Sequence, residues 1–119
     1  MTLKELYDAI GGDYNEVMGR MLKEERVTKF VGMFLRDPSF QQLSDAMAAG
    51  DYEEAFKGAH TLKGVCGNLS LTRLARVDIE VTEALRGGAD IQHAKDMMPS
   101  LETCYRETIA KIEEYVGQV

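Results

Sequence analysis

The amino-acid sequence predicts an all-α protein: an antiparallel, up-down four-helix bundle with additional short helices at the N-terminus. Apolar residues recur at helical spacing along nearly the whole chain, and no segment keeps the alternation typical of a strand. The only prolines, Pro38 and Pro99, leave long stretches free of helix breakers. Capping side chains and glycines divide the chain into helices with short connections, as in antiparallel bundles.

The N-terminal part of the chain carries the signals for two short helices and one longer helix. Thr2 and Glu5 have the spacing of a capping box, and the first helix ends before Gly11-Gly12. Asp13 caps the second helix, and the third runs over about residues 23–36. The apolar residues expected on the inner sides of the second and third helices are Val17, Met18, Met21, Val27, Phe30, Val31, Phe34 and Leu35.

Two central helices follow the break at residues 37–39. Because proline suits the first turn of a helix, we expect a helix from this break to about Ala49, closed by Gly50. Asp51 caps the next helix, which contains the stretch AHTLKGVCG at residues 59–67. The residues that the first of these helices is expected to bury are Phe40, Leu43, Ala46 and Met47.

The connection over residues 68–72 leads into a further helix. Either Ser70 or Thr72 is available as its cap, and the helix continues to Arg86 before Gly87-Gly88 stops it.

Asp90 opens the last helix, which extends to about Tyr115, and Pro99 inside it predicts a kink or a restart. The methionines at apolar helical positions, which we expect to fill the core, are Met18, Met21, Met33, Met47, Met97 and Met98.

Length and charge restrict the class of protein. The 119 residues predict one domain spanning 1–119, and the net charge of −6 argues against general nucleic-acid binding, which needs a basic surface. No apolar run approaches the roughly 18 residues of a membrane span, and the N-terminus is amphipathic rather than signal-like, so we expect a cytoplasmic protein. Cys66 and Cys104 fall on apolar positions and are expected to be buried free thiols.

Helical geometry points His60 away from the core. At about 100° per residue, the apolar residues of its helix lie on the opposite side, in an arc that Tyr52 and Phe56 extend. That apolar side consists of Ala55, Ala59, Leu62, Cys66 and Leu69. The residues on the same side as His60, within about 60° of it, are Glu53, Lys57, Lys63, Gly64 and Gly67. We therefore expect an exposed histidine rather than a core histidine.

The two glycines beside His60 indicate access. Each costs the helix roughly 1 kcal/mol relative to alanine, and tight helix packing does not explain Gly64 or Gly67 because neither lies on the apolar side. Lys63, one turn away, favours a neutral imidazole with a free ring nitrogen and would stabilise an anion attached to it. An approachable histidine beside a cation suits transient carriage of a phosphoryl group.

The stretch Ala59-His60-Thr61-Leu62-Lys63-Gly64, followed by Gly67-Asn68-Leu69, resembles the signature of histidine-containing phosphotransfer (HPt) domains, four-helix modules of two-component phosphorelays. The resemblance covers roughly residues 13–116. Outside the signature it extends to Asp51-Tyr52 and Ala55 and to the pair Ile79-Glu80. Ser70 departs from the family, since many relatives have glycine there.

The resemblance implies that His60 is the phosphoacceptor, taking a phosphoryl group from an aspartyl phosphate of one receiver domain and passing it to another. It implies that Lys63 supports the phosphohistidine and that Gly64 lets the receiver dock. The expected partners are response-regulator receiver domains and a hybrid sensor histidine kinase. Receivers supply their own Mg²⁺, so no metal site or cofactor is expected in this chain, which we expect to be monomeric.

We extend the predicted docking surface from geometry alone to Gly67, Lys57 and Glu53, which share the side of His60.

Four other interpretations compete with this one. A histidine kinase dimerisation domain usually has an acidic residue after its histidine and a nearby proline, whereas Thr61 follows His60 here and no ATP-binding domain is present. A metal-binding bundle needs inward Glu-x-x-His pairs, which neither His60 nor His93 forms, and His93 reads as an incidental surface residue. An HPt domain of a chemotaxis-type or hybrid kinase and a non-phosphorylated helical adaptor remain open.

Overall fold

A computed structural model describes all of residues 1–119 and contains only helices and their connections. The seven α-helices, with one 3-10 turn at Arg86–Gly88, are α1 (Leu3–Ile10), α2 (Tyr14–Met21), α3 (Glu24–Phe34), α4 (Ser39–Ala49), α5 (Tyr52–Asn68), α6 (Thr72–Leu85) and α7 (Ile91–Gly117). Helices α4 to α7 pack in chain order, each against the next, while α1 and α3 pack against α7. This arrangement confirms the predicted all-α bundle with short N-terminal helices. None of the helices combines the length and the apolar character that crossing a membrane requires.

The predicted helix ends are confirmed where a side chain or a glycine makes the cap. Thr2 and Glu5 form both hydrogen bonds of a capping box, and Gly11 and Gly50 adopt the left-handed conformation at the ends of α1 and α4. The aspartates that accept a hydrogen bond from the third backbone N–H of their helices are Asp13, Asp51 and Asp90. These local signals need no tertiary contact, which is why the sequence predicts them.

One continuous apolar core holds the helices together. The Tyr105 ring of α7 stacks on Phe40 of α4, with ring centroids 4.1 Å apart, and meets the Phe34 ring of α3 edge-on at 6.0 Å. Cys66 and Cys104 are buried free thiols, as expected, and burial raises the pKa of the Cys66 thiol. A raised pKa keeps a thiol protonated and unreactive.

Two predictions about apolar side chains are wrong at the same place. Phe30 and Met33 were both expected to be buried, yet they are 40% and 50% exposed. Both lie beside the buried stripe of α3, which consists of Val27, Val31 and Phe34, and are only partly covered. Together with residues of α2 and of the C-terminal end of α5, they line an open groove of about 760 Å³.

The last helix does not restart at Pro99. Helix α7 runs without a break over 27 residues, which at 1.5 Å per residue matches the 40 Å length of the molecule. Proline removes the hydrogen bond that its nitrogen would donate to the Lys95 carbonyl. Both Pro99 and Lys95 are exposed, so water can replace that bond. Packing of the rest of α7 against α6 and α1 keeps the helix in one piece.

Candidate functional site

His60 lies in the third turn of α5 with its side chain exposed, as predicted. Its neighbours Ala59 and Leu62 are fully buried and hold this part of the helix on the core. The half-buried ring of Phe56, one turn earlier, lies beside the imidazole with ring centroids 5.7 Å apart. Because Phe56 is anchored at the edge of the core, it supports one side of the imidazole while the other side faces solvent.

The exposed side of α5 beyond His60 is bare. Gly64 and Gly67 are exposed, and a Cβ atom built on either would meet no atom within 4 Å. Neither glycine therefore serves packing inside the chain. Gly58, which the sequence reasoning did not single out, is different: its Cβ would lie 2.8 Å from the Leu43 backbone nitrogen of α4. Its place on the apolar side of α5 was the signal for such a close helix approach.

The C-terminal end of α5 is held by an arginine from α2. The Arg20 guanidinium donates hydrogen bonds to the carbonyl oxygens of Gly67 (3.2 Å) and Asn68 (2.7 Å) and to the Ser70 hydroxyl (3.0 Å). The Tyr7 hydroxyl donates to the Leu69 carbonyl at 2.7 Å. The bonds to Asn68 and Leu69 provide donors to carbonyls at the end of the helix, and the Gly67 carbonyl also accepts from the Ser70 backbone N–H at 3.2 Å. They keep the bare stretch of α5 ordered without placing a side chain on it.

Ser70 corrects the sequence prediction for the α5–α6 connection. Neither Ser70 nor Thr72 caps α6, whose N-cap position is Leu71 without a side-chain hydrogen bond. Instead Ser70 adopts the left-handed conformation (φ 54°), the one that favours glycine. Its hydroxyl donates to Glu16 at 2.7 Å and accepts from Arg20, so two bonds compensate the backbone strain. The loop thus keeps the course that a glycine would give it.

Charged residues from the end of α6 border His60 on one side. Arg86 lies with its guanidinium carbon 5.0 Å from the centroid of the Phe56 ring and pairs with Glu83 through two bonds of 3.0 Å. Those bonds hold the pKa of the Glu83 carboxyl below its usual value, and the charges of Lys63 and His60 act in the same direction. Glu83 is thus electrostatically coupled to His60. Sequence reasoning missed Glu83 and Arg86 because they come from another helix.

Lys63 lies half-buried on the side of α5 that faces α6. It makes no ion pair within 4.0 Å. Its charge acts on two carboxyl groups of α6, the exposed Glu83 and the buried Asp78. The ammonium group is therefore available to a new anion near His60.

The remaining predicted docking residues lie on α5 before His60. Lys57 is exposed and pairs with Glu54 of the same helix at 3.6 Å, and Glu53 is exposed in the first turn of α5. His93, predicted to be incidental, is exposed on α7 with its Nε2 atom 3.5 Å from a Glu80 carboxylate oxygen. His93 and the predicted site therefore lie on different helices.

The arrangement is suited to hold an anionic group on a nitrogen nucleophile. The His60 imidazole is open to solvent, Phe56 supports it, and the cations Lys63 and Arg86 come from two helices on one side of it. No three His, Cys, Asp or Glu side chains are grouped so that they could hold a metal ion.

The fold and the site define an all-α helical bundle that presents an exposed histidine next to exposed glycines. The family model of the Hpt domain matches residues 32–114, which is more than two thirds of the chain. The chain therefore belongs to the Hpt domain family, whose function is histidine phosphotransfer in two-component signalling. Members of the family interact with receiver domains and kinases of phosphorelays. No curated protein and no solved structure matches the chain at a significant level.

Proposed function

We propose that this protein relays a phosphoryl group between receiver domains through His60. The observation that carries the proposal is the exposed His60 imidazole on a helix face that Gly64 and Gly67 leave bare. The aspartyl phosphate of a receiver lies in a pocket of that domain, so the acceptor nitrogen must approach it without obstruction. A bare helix face around the histidine meets this requirement.

In the proposed step, the unprotonated ring nitrogen of His60 attacks the phosphorus atom of the receiver's aspartyl phosphate. A nitrogen–phosphorus bond forms while the bond from phosphorus to the aspartyl oxygen breaks, which regenerates the aspartate carboxylate. The ring then carries the phosphoryl group on one nitrogen and a proton on the other. The return step to a second receiver reverses these bond changes, so no net oxidation or hydrolysis occurs.

Two cations would support the phosphoryl group on His60. Lys63 has no ion-pair partner to give up, whereas Arg86 would exchange its bonds to Glu83 for the new anion. Phosphoryl oxygens accept such charge-assisted hydrogen bonds well. The repulsion between Glu83 and the phosphoryl group would favour the same exchange. Mg²⁺ belongs to the receiver in this proposal, so chelation should stop transfer between the proteins without affecting the phosphohistidine already formed.

The test is transfer of label from a receiver domain phosphorylated on its aspartate. Wild-type protein should gain an acid-labile, alkali-stable phosphoryl group, and His60→Gln should gain none. His93→Gln is the matched control, because it removes the only other histidine and leaves the proposed site intact. Equal labelling of His60→Gln and wild type would contradict the proposal. A wild-type protein that no receiver labels would instead support the adaptor alternative.

The roles of the two lysines near His60 can be separated by the source of the label. Phosphoramidate, a small phosphoryl donor, should load His60 without any docking partner. Lys63→Gln should then shorten the lifetime of the phosphohistidine, whereas Lys57→Gln, on the other flank and paired with Glu54, should leave it unchanged. With a receiver as donor, both variants should slow transfer. An equal lifetime in both variants would remove the supporting role from Lys63.

A further inference from the structure

A second carboxyl group near Lys63 plays no part in the proposed transfer. Asp78 is completely buried on α6, and its Oδ1 atom has no hydrogen-bond partner. Its other oxygen lies 3.4 Å from the Thr82 hydroxyl, which donates a shorter bond of 2.9 Å to the Asp78 carbonyl. A buried carboxylate with a single long hydrogen bond is disfavoured, and burial raises the pKa of Asp78 to about 8 against the opposing effects of Thr82 and Lys63.

The charged surroundings of Asp78 come from one neighbouring helix. Lys63 on α5 is the cation that acts on it, and it favours the ionised carboxylate. Cys66, also on α5, is the other titratable group coupled to it, and its thiol stays protonated. From α7, no titratable group acts on Asp78. Lys63 is half-buried on α5 where that helix packs against α6, and its charge acts on both the buried Asp78 and the exposed Glu83, the carboxyl on which the charge of His60 also acts.

We propose that Asp78 controls the position of the Lys63 ammonium, and thereby how firmly Lys63 holds a phosphoryl group on His60. This inference rests on the proposed phosphotransfer function. While Asp78 carries its proton, it offers Lys63 no charge, and the ammonium is free to turn toward His60. When Asp78 loses its proton, its Oδ1 atom becomes a buried anion without a donor, and it attracts Lys63 toward the interior. Asp78 is thus a positioning residue that competes with the phosphoryl group for one lysine.

The proposal predicts that ionisation of Asp78 makes the loss of the phosphoryl group from His60 depend on pH. Phosphohistidine is formed on His60 with phosphoramidate, and the rate constant of its loss is measured for wild type and Asp78→Asn from about pH 6.5 to about pH 9. The ratio of the wild-type to the variant rate constant should rise roughly two- to fivefold over this range, the effect expected when a partly exposed charge pair is lost. The ratio removes the intrinsic pH dependence of phosphohistidine itself.

Matched variants separate this effect from a general change of charge. In the Lys63→Gln background the ratio should stay constant with pH, since no lysine remains to be displaced. Asp45→Asn, which neutralises an exposed aspartate of α4, should behave as wild type. If Asp78→Asn does not fold, Asp78→Ser provides a second neutral side chain. If the ratio does not change with pH in proteins that keep Lys63, the proposal is overturned.

A second measurement does not depend on phosphorylation. Carbon-13 NMR follows the titration of the Asp78 carboxyl, and Lys63→Gln should raise its pKa further because the cation that favours ionisation is lost. Lys57→Gln should leave it unchanged. An Asp78 pKa that does not respond to Lys63→Gln would also overturn the proposal. Failure of transfer from receivers, with phosphoramidate labelling intact, would contradict the proposed relay function and leave this test of Asp78 valid.

Discussion

The two faces of α5 use glycine in opposite ways. On the face packed against α4, a Cβ atom on Gly58 would lie 2.8 Å from the Leu43 nitrogen, so a larger side chain must push the helices apart. On the exposed face, a Cβ on Gly64 or Gly67 would meet nothing within 4 Å. The same residue type thus permits close packing at one position and leaves a surface bare at the other two.

This difference separates a structural glycine from a functional one. Gly58 lowers the intrinsic stability of its helix, but the close approach of α4 and α5 compensates the loss. The stability that Gly64 and Gly67 forgo is recovered nowhere within the chain. The exposed face is therefore the one where we expect a partner to supply the missing contacts.

The largest expected effect on the free energy of unfolding comes from the buried carboxyl group of Asp78. Burial raises the pKa of Asp78 to about 8, whereas an aspartate in an unfolded chain titrates near 3.9. The unfolded state therefore ionises first, and folding stability falls as pH rises between about 4 and about 8, by about 4 kcal/mol at pH 7. Denaturant unfolding of Asp78→Asn should lack this slope, while Asp45→Asn should retain it. An identical slope in Asp78→Asn and wild type would contradict the buried, protonated Asp78.

The next largest effect on stability is expected from adding a methyl group at Gly58, on the face of α5 that packs against α4. Gly58→Ala should lower the free energy of unfolding by roughly 1–3 kcal/mol, since its Cβ would press on the backbone of α4 rather than on a flexible side chain. Denaturant unfolding measures the change. If Gly58→Ala were as stable as wild type, α4 and α5 would be free to move apart, and the contrast between the two faces would lose its basis.

On the exposed face of α5, a longer side chain should slow phosphoryl transfer without destabilising the fold. Gly64→Gln should unfold at the wild-type denaturant concentration or above it, but slow transfer from a phosphorylated receiver on the order of tenfold, or about 1.4 kcal/mol. Gly19→Gln is a matched control, because Gly19 is also exposed on a helix with open space around it. Equal transfer rates for Gly64→Gln and Gly19→Gln would contradict the docking role of Gly64.

The smallest expected effect has the opposite sign from Gly58→Ala. Gly64→Ala and Gly67→Ala should each stabilise the protein by roughly 0.5–1 kcal/mol, since alanine favours the helix and meets no neighbouring atom. Thermal unfolding of the two variants beside Gly58→Ala provides the direct comparison. Destabilisation by either variant would show that the exposed face serves packing after all.

Local signals account for the parts of this structure that the sequence predicted. The caps at Asp13, Asp51 and Asp90 depend on a side chain and a backbone group three residues away. The exposure of His60 follows from helical periodicity alone. The roles of Lys63, Gly64 and Gly67 at this face stay predictions until transfer is measured.

Predictions failed where the outcome depended on neighbours distant in sequence. Serine is a residue type that commonly caps helices, yet Arg20 and Glu16 bind the Ser70 hydroxyl and stabilise a left-handed backbone there. Phe30 has the periodicity of a core residue, but whether the edge of α3 is covered depends on where the other helices lie.

The sequence by itself determined the helices, the ends that an Asp, Thr or Gly caps, and the direction in which His60 points, because these follow from residue spacing within one segment. Only the tertiary structure decided what surrounds His60 from outside α5. Arg86 lies over the ring of Phe56 beside it, the charges of Glu83 and His60 interact, and the charge of Lys63 acts on Asp78 across the α5–α6 interface. Which residues of two helices become neighbours depends on how closely and in what register the helices pack. Residues such as Gly58, whose lack of a side chain lets α4 approach α5 closely, control that packing through contacts that no single segment contains.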